Sequence, residues 1–254
     1  MGQPLIIDRT FVGQVSNLAD YPDGILISID KPYKWTSADV VRKIKFFLQK
    51  TFHNRNIKVG HAGTLDPLAT GILVICVGKA TKIAETLQAH QKSYKASIEF
   101  GATTPSFDLE KDYDFFFRYD HITKESIEAV LPSFLGDQEQ VPPIFSAKMV
   151  NGVRAYEFAR AGEEVELRSS QINIADIKLS EFIPSCENST GRPKAIIDIV
   201  CSKGTYIRSI ARDLGIALNS GAHLTGLIRT SSGDFEIKNA IPLEYLASSN
   251  TFAL

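Results

Sequence analysis

No apolar run in this chain approaches the roughly 18 residues that a membrane-spanning helix needs. The longest, 72–77, has the length of a buried strand. The first ten residues lack a basic segment followed by an apolar one, so they do not read as a secretory signal. Cysteine is scarce. Cys76, Cys186 and Cys201 are odd in number and scattered, with no CxxC pair and no Cys/His cluster at zinc spacing. They read as buried free thiols in a reducing cytoplasm. Phosphate-binding glycine motifs are missing as well. Gly78-Lys79-Ala80 lacks the hydroxyl residue and glycine spacing of a P-loop, and no GxGxxG follows a strand. This argues against a cofactor-dependent nucleotide enzyme. A generic carboxylate hydrolase wants a second acid near the first, and residues 31–98 offer only Asp39 and Glu85 beside Asp66. There is no internal repeat, low-complexity stretch or evident linker. What remains, in 254 residues with 44% hydrophobic and 22% charged side chains, has the composition of an ordinary globular protein.

Net charge is close to balance at −1, which is not the signature of a generic nucleic-acid binder. The charge is nevertheless segregated along the chain. Residues 31–98 hold twelve basic side chains against three acidic ones, and residues 105–140 hold nine acidic against three basic. Charge alone leaves two readings open: a basic region that faces a polyanion, or two solvated faces.

Periodicity gives a coarse map. Residues 25–30 read as a β-branched strand broken by Lys31-Pro32. Thr36 or Ser37 caps a helix in which Val40, Val41, Ile44, Phe47 and Leu48 share one face, with Arg42, Lys43, Lys45 and Gln49 off it. The continuous apolar run 70–77 predicts a strand buried on both faces. Residues 80–89 read as a short helix. In 93–100, alternation puts Tyr94, Ala96, Ile98 and Phe100 on one face. Residues 101–121 are polar and irregular, and the phenylalanines at 115–117 have no evident place. Thr123 predicts the cap of a helix reaching about Leu135 and closed by Gly136. Beyond it come a loop or edge at 141–147 and a short helix at 154–161. Strands with a turn follow at 163–182, then a polar loop at 185–192, a strand at 195–201, a helix at 205–219 and a last strand at 223–229. Helices and strands mix without strict βαβ alternation, which predicts an α+β fold, read as a single catalytic domain 1–254 with a core of about 24–246.

The densest local pattern is 60–67. Two glycines and a proline mark a tight loop, and Asp66 closes it just before the buried strand. A carboxylate there suits nucleophilic or acid/base work. It equally suits a turn aspartate bonded to its own backbone.

The run Gly60-His61-Ala62-Gly63-Thr64-Leu65-Asp66-Pro67-Leu68-Ala69-Thr70-Gly71-Ile72-Leu73 resembles the signature of TruB-type pseudouridine synthases. Other stretches agree in order. Lys31-Pro32-Tyr33-Lys34-Trp35-Thr36-Ser37 is similar to the family's KPxGxTS segment, with Lys34 where glycine is usual. Gly78-Lys79-Ala80-Thr81-Lys82 and Lys92-Ser93-Tyr94 follow. Val141-Pro142-Pro143, Ser146-Ala147-Lys148, Gly152-Val153-Arg154-Ala155-Tyr156, Gly204-Thr205-Tyr206-Ile207-Arg208-Ser209 and Gly221-Ala222-His223 complete the likeness, which runs from about Gly24 to Tyr245.

The resemblance implies a mixed, largely antiparallel sheet flanked by helices. It implies isomerisation of one uridine in the T arm of tRNA, at tRNA position 55, with no metal or organic cofactor. In that reading Asp66 is the nucleophile, Arg208 is the arginine that pairs with it, and Tyr94 packs on the target base. His61 helps reorganise the T loop. Lys82, Leu227, Gly63 and Thr64 line the RNA site, and Lys31 contacts phosphate. Residues 141–155 form a mobile RNA-contacting loop. Without the resemblance, Tyr94 reads as core and Arg208 as an exposed helix arginine. The likeness stops before the small C-terminal RNA-binding (PUA-like) domain that many members carry, which predicts a short form. The expected partner is tRNA, with no membrane and no obligate protein partner, for a cytoplasmic monomer. The rival reading is a tRNA-binding or RNA-folding protein that does not depend on catalysis.

Overall fold

The computed structural model describes residues 2–150, 152–163, 165–185, 191–248 and 251–252. Cys186, and with it most of the polar loop expected at 185–192, lies outside them; Cys76 and Cys201 are buried. The chain forms two compact units, Met1–Ser93 with Ile228–Leu254, and Tyr94–Leu227.

In the first unit, β1 (Leu5–Ile7) runs parallel to β2 (Ile25–Lys31). Between β2 and the next strands lies α1 (Ser37–Thr51), followed by β3 (Val59–His61) and β4 (Ala69–Val77). β4 pairs antiparallel with β2, from Ile25 opposite Val77 to Lys31 opposite Gly71, and β3 pairs antiparallel with the far end of β4. Ile241–Pro242 adds a short parallel pairing to the end of β2. Successive side chains of a strand point to opposite faces, and both faces are used here. Ile25, Ile27, Ile29, Leu73, Ile75 and Val77 pack with Val40, Ile44 and Leu48 of α1. Leu26, Ile72, Val74 and Cys76 pack with Ala62, Ala80 and Ala240 on the other side. That is why the 72–77 run is unbroken rather than alternating. Thr36 is the cap of α1: its hydroxyl accepts from Asp39 N at 3.0 Å, and the Asp39 carboxylate accepts from Thr36 N at 2.9 Å.

In the second unit, strand Lys194–Cys201 pairs antiparallel with Ser170–Ile183, which also pairs antiparallel with Gly136–Gln140. Helix Ile207–Ala217 buries Ile207, Ile210, Ala211 and Leu214, the inward positions that the sequence predicts. The parallel pairings at β2 are short and the long ladders, β2 with β4 and Ser170–Ile183 with Lys194–Cys201, are antiparallel, so the α+β, largely antiparallel expectation stands.

Several boundaries differ from the sequence reading. Residues 163–182 hold one long strand instead of strands with a turn, because register shifts at Ile174/Asp176 and Leu179/Glu181 absorb the irregular pattern as bulges. The helix after Thr123 ends at Val130 and tightens into a 3₁₀ turn, Leu131–Phe134, where Pro132 supplies no amide hydrogen. Residues 78–83 are likewise 3₁₀ before the helix Ala84–Ala89. Phe115–Phe116 pairs with Ala102–Thr103, which places the phenylalanines on a small hairpin.

Gly71 has φ +100°, and a Cβ there would lie 2.3 Å from the Arg229 carbonyl oxygen. Both the conformation and the space exclude a side chain. We expect Gly71→Ala to lose about 3 kcal/mol or more of stability, read as a lowered urea midpoint; a midpoint equal to wild type would contradict this packing.

Candidate active site

The loop that carries Asp66 spans β3 and β4. Ala62 N donates to the Val74 carbonyl at 2.9 Å, so the loop leaves while still joined to β4. Ala69 N donates to the Asp66 carbonyl at 3.1 Å and closes a turn over Pro67 and Leu68. Asp66 is therefore the first residue of a turn at the mouth of a buried strand, half exposed to solvent.

Three side chains grip this loop. The buried Ser37 hydroxyl at the start of α1 accepts from Leu65 N at 2.9 Å and donates back to Leu65 O at 3.2 Å. Lys31, at the end of β2, is fully buried. Its ammonium donates to the carbonyls of Trp35 (2.6 Å), Pro32 (3.0 Å) and Pro67 (3.2 Å). Arg229 is 1% exposed and donates from Nε to Ile72 O (2.7 Å), from Nη2 to Gly63 O (3.1 Å) and from Nη1 to Thr64 O (3.3 Å). Gly63 takes φ +103° as it presents that carbonyl.

Lys31 corrects an expectation. A surface lysine reaching for phosphate does not fit a side chain with no exposed area and all three donors spent on backbone carbonyls. Burial pushes its pKa down to about 8; the negative charge of Asp66 opposes that fall and the positive charge of Arg229 adds to it. His61 is pushed below its ordinary value by burial first and by Arg229 second, against a smaller opposing effect of the Gly63 backbone, so its imidazole is neutral at physiological pH. Thr64 and Lys82 are exposed, and Gly63 is buried.

Tyr94, Arg208 and Leu227 belong to the second unit. Tyr94 is half-buried on strand Lys92–Phe100, where Ala96, Ile98 and Phe100 of the same face are fully buried. Leu227 is buried on strand Ala222–Ser232. Arg208 is not the exposed helix arginine that its position suggests. It is 3% exposed, with Nη1 donating to Ser106 O at 3.2 Å and Nε 3.7 Å from the Asp108 carboxylate. Asp108 in turn accepts from Ser106 Oγ (2.6 Å) and Glu110 N (3.0 Å), and its carbonyl accepts from Thr104 Oγ1 (2.6 Å). Phe107 sits at φ +58° with its carbonyl accepting from Leu224 N at 3.0 Å. Thr104, Ser106 and Asp108 are all buried, so the stretch read as irregular polar chain is a buried cradle for a guanidinium.

Sequence reasoning missed Asp108, Ser37 as a clamp, and Arg229. The available signal for Arg229 was a lone Arg in strand Ala222–Ser232, which holds no Asp, Glu or Lys, next to the apolar pair Leu227-Ile228; a charge drawn into such a strand calls for a buried partner.

A family model, "TruB family pseudouridylate synthase (N terminal domain)", matches residues 49–207. A protein of Phocaeicola vulgatus described as tRNA pseudouridine synthase B is 51% identical over 225 residues, covering 89% of this chain and 92% of that protein. The similarly described protein of Flavobacterium johnsoniae is 46% identical over 231 residues, covering 91% and 97%. Among solved structures, a chain in the crystal structure of a Cbf5–Nop10–Gar1 complex superposes with a TM-score of 0.64 at 28% identity, over 89% of this chain and 54% of that one. The present chain therefore spans about half the length of that solved chain.

Two substitutions test the clamp. Ser37→Ala removes both bonds to Leu65 and is expected to cost about 1–2 kcal/mol in denaturant unfolding. Lys31→Met strands three carbonyls and is expected to cost about 2 kcal/mol at pH 7. The pH dependence has a definite sign. The folded pKa of Lys31, about 8, lies below its ordinary 10.5, so between those values the unfolded chain binds more protons and the wild type gains stability as pH rises. The deficit of Lys31→Met should widen over that window; a pH-independent deficit would mean that Lys31 keeps an ordinary pKa.

Proposed function

This chain belongs to the TruB family of pseudouridylate synthases, and on that footing we propose that it converts one uridine in the T arm of tRNA, position 55, to pseudouridine, with Asp66 as the nucleophile. The reaction breaks the bond from N1 of uracil to C1′ of ribose, turns the base, and joins C5 to C1′; the hydrogen on C5 leaves as a proton and N1 takes one up, so the product is an isomer of the substrate. The observation that carries this reading is the Asp66 loop itself. Asp66 stands half-buried at the mouth of a strand while the backbone on either side is held by Ser37, Lys31 and Arg229. A nucleophile is effective when its geometry is set before the substrate arrives.

The remaining roles follow the chemistry of each side chain. A uridine stacked in a folded loop must be flipped out, at a cost of a few kcal/mol. Tyr94 offers a ring with a hydroxyl for the released base, and Arg208 offers a fixed guanidinium already set by Asp108. His61, neutral in its buried setting, acts on the T loop as a hydrogen-bonding and packing group rather than as a cation. Gly63, Thr64, Lys82 and Leu227 complete the RNA-contacting set. Residues 141–155, of which Asn151 lies outside the described residues, form the segment that closes on RNA; it includes the short pairing Met149–Val150 with Val153–Arg154.

The test uses a tRNA transcript tritiated at uridine C5. Wild type should release one equivalent of label from the T arm, and Asp66→Asn should slow release by about 10³-fold or more while retaining tRNA affinity and the wild-type circular dichroism spectrum. Full label release by folded Asp66→Asn would remove the carboxylate from the mechanism. Binding without release by wild type would favour the non-catalytic RNA-binding reading.

A further inference from the structure

The outer face of α1 carries a feature that neither the core nor the Asp66 loop uses. Val40, Ile44 and Leu48 are buried, and Arg42, Lys43, Lys45 and Lys50 face solvent, as an amphipathic helix requires. Phe46 breaks that pattern. It is 67% exposed on the charged side, four residues from Arg42 and three from Lys43, so all three occupy one strip of helix surface. Just before the helix, Tyr33 is exposed and Trp35 is half-buried with part of its ring against the core. Lys34, Trp35, Asp39, Arg42, Lys43 and Phe46 together line a shallow groove of about 480 Å³.

Lys34 adds a second, independent observation. Its φ is +66°, a left-handed conformation that glycine takes freely and lysine takes only against strain. Its amide donates to the Pro67 carbonyl at 2.9 Å, and its ammonium lies 5.7 Å from the centre of the Tyr33 ring. The strained residue thus ties the groove to the residue that follows Asp66 and leaves an exposed cation at its edge. The one acid in the groove, Asp39, is already engaged by the Thr36 cap and by Arg42, so the groove is net basic.

Cations at the edge and aromatic rings on the floor suit one kind of occupant. We infer that this groove binds a single-stranded stretch of RNA, with a base stacked on Phe46 and Trp35 and phosphates on Lys34 and Lys43. The inference rests on RNA being the substrate. It adds to that reading a second contact, next to the catalytic loop and separate from the group that reacts.

The experiment measures binding of an unmodified tRNA transcript by filter retention over a range of salt concentrations. The variants are Phe46→Ala and Lys34→Gln/Lys43→Gln, with Lys124→Gln/Lys178→Gln as a control of equal charge change. Phe46→Ala should weaken binding about tenfold, the effect of losing one stacked base. Lys34→Gln/Lys43→Gln should weaken binding and lower the slope of log Kd against log salt by about 1.5 relative to the control pair. These side chains are exposed, and a thermal melt of each variant checks that it folds. Folded groove variants that bind within twofold of wild type, with an unchanged slope, would overturn the inference. Label release by wild type is scored separately. An inactive wild type whose tRNA affinity still falls on groove substitution would sink the proposed reaction and keep the groove, whereas an active wild type with unaffected groove variants would do the reverse.

Discussion

Two buried cations hold the loop from which Asp66 projects. Lys31 and Arg229 are among the largest fully buried side chains of the described residues, and between them they bond the carbonyls of Pro32, Trp35, Gly63, Thr64, Pro67 and Ile72. A charge taken out of water is costly unless hydrogen bonds replace its solvent shell. Here backbone oxygens do so, and the loop gains what it cannot obtain from a helix or sheet ladder: partners for its carbonyls. The demand runs both ways. The cations require the loop closed around them, and the loop requires the cations in order to be buried at all.

That mutual requirement accounts for the glycines. Gly71 lies against the Arg229 backbone with no room for a side chain, which lets the strand bearing Arg229 come close enough for its guanidinium to reach β4 and the loop. Gly63 turns its carbonyl to Arg229 from a left-handed conformation. The Ser37 clamp extends the same arrangement to the first turn of α1, whose opposite end is fixed by the apolar contacts of Ile44 and Leu48. A carboxylate set on such a loop keeps its position without help from a ligand. In the second unit Arg208 is prepared in the same manner, its guanidinium held by the Ser106 carbonyl and the Asp108 carboxylate.

Much of the fold was legible before any coordinates. The strands at 25–30 and 72–77 declared themselves because apolar β-branched runs of that length have few other solutions. The helix after Thr36 declared itself because its apolar residues recur on one face. The errors fall where the local pattern is weakest. Bulges turned one long strand into an apparent pair with a turn, and Pro132 converted the end of a helix into a tighter turn. Residues 101–121 looked irregular because their order comes from buried hydroxyl and carboxylate bonds, which have no periodicity to read.

The sequence by itself determined the α+β class, the amphipathic basic helix and the position of Asp66 in a Gly- and Pro-braced loop, since these depend on residues close together in the chain. The motif residues around Asp66, read as a resemblance, also pointed to the family. Only the tertiary structure decided what each charge does. Lys31 and Lys34 are three residues apart and chemically identical, yet one is a buried clamp and the other an exposed cation on a strained backbone. Arg229 meets the loop from a strand more than 160 residues away, and Asp108 meets Arg208 across 100 residues. Burial and long-range pairing are properties of the folded chain, because whether a charge faces water or a carbonyl is settled by what packs over it.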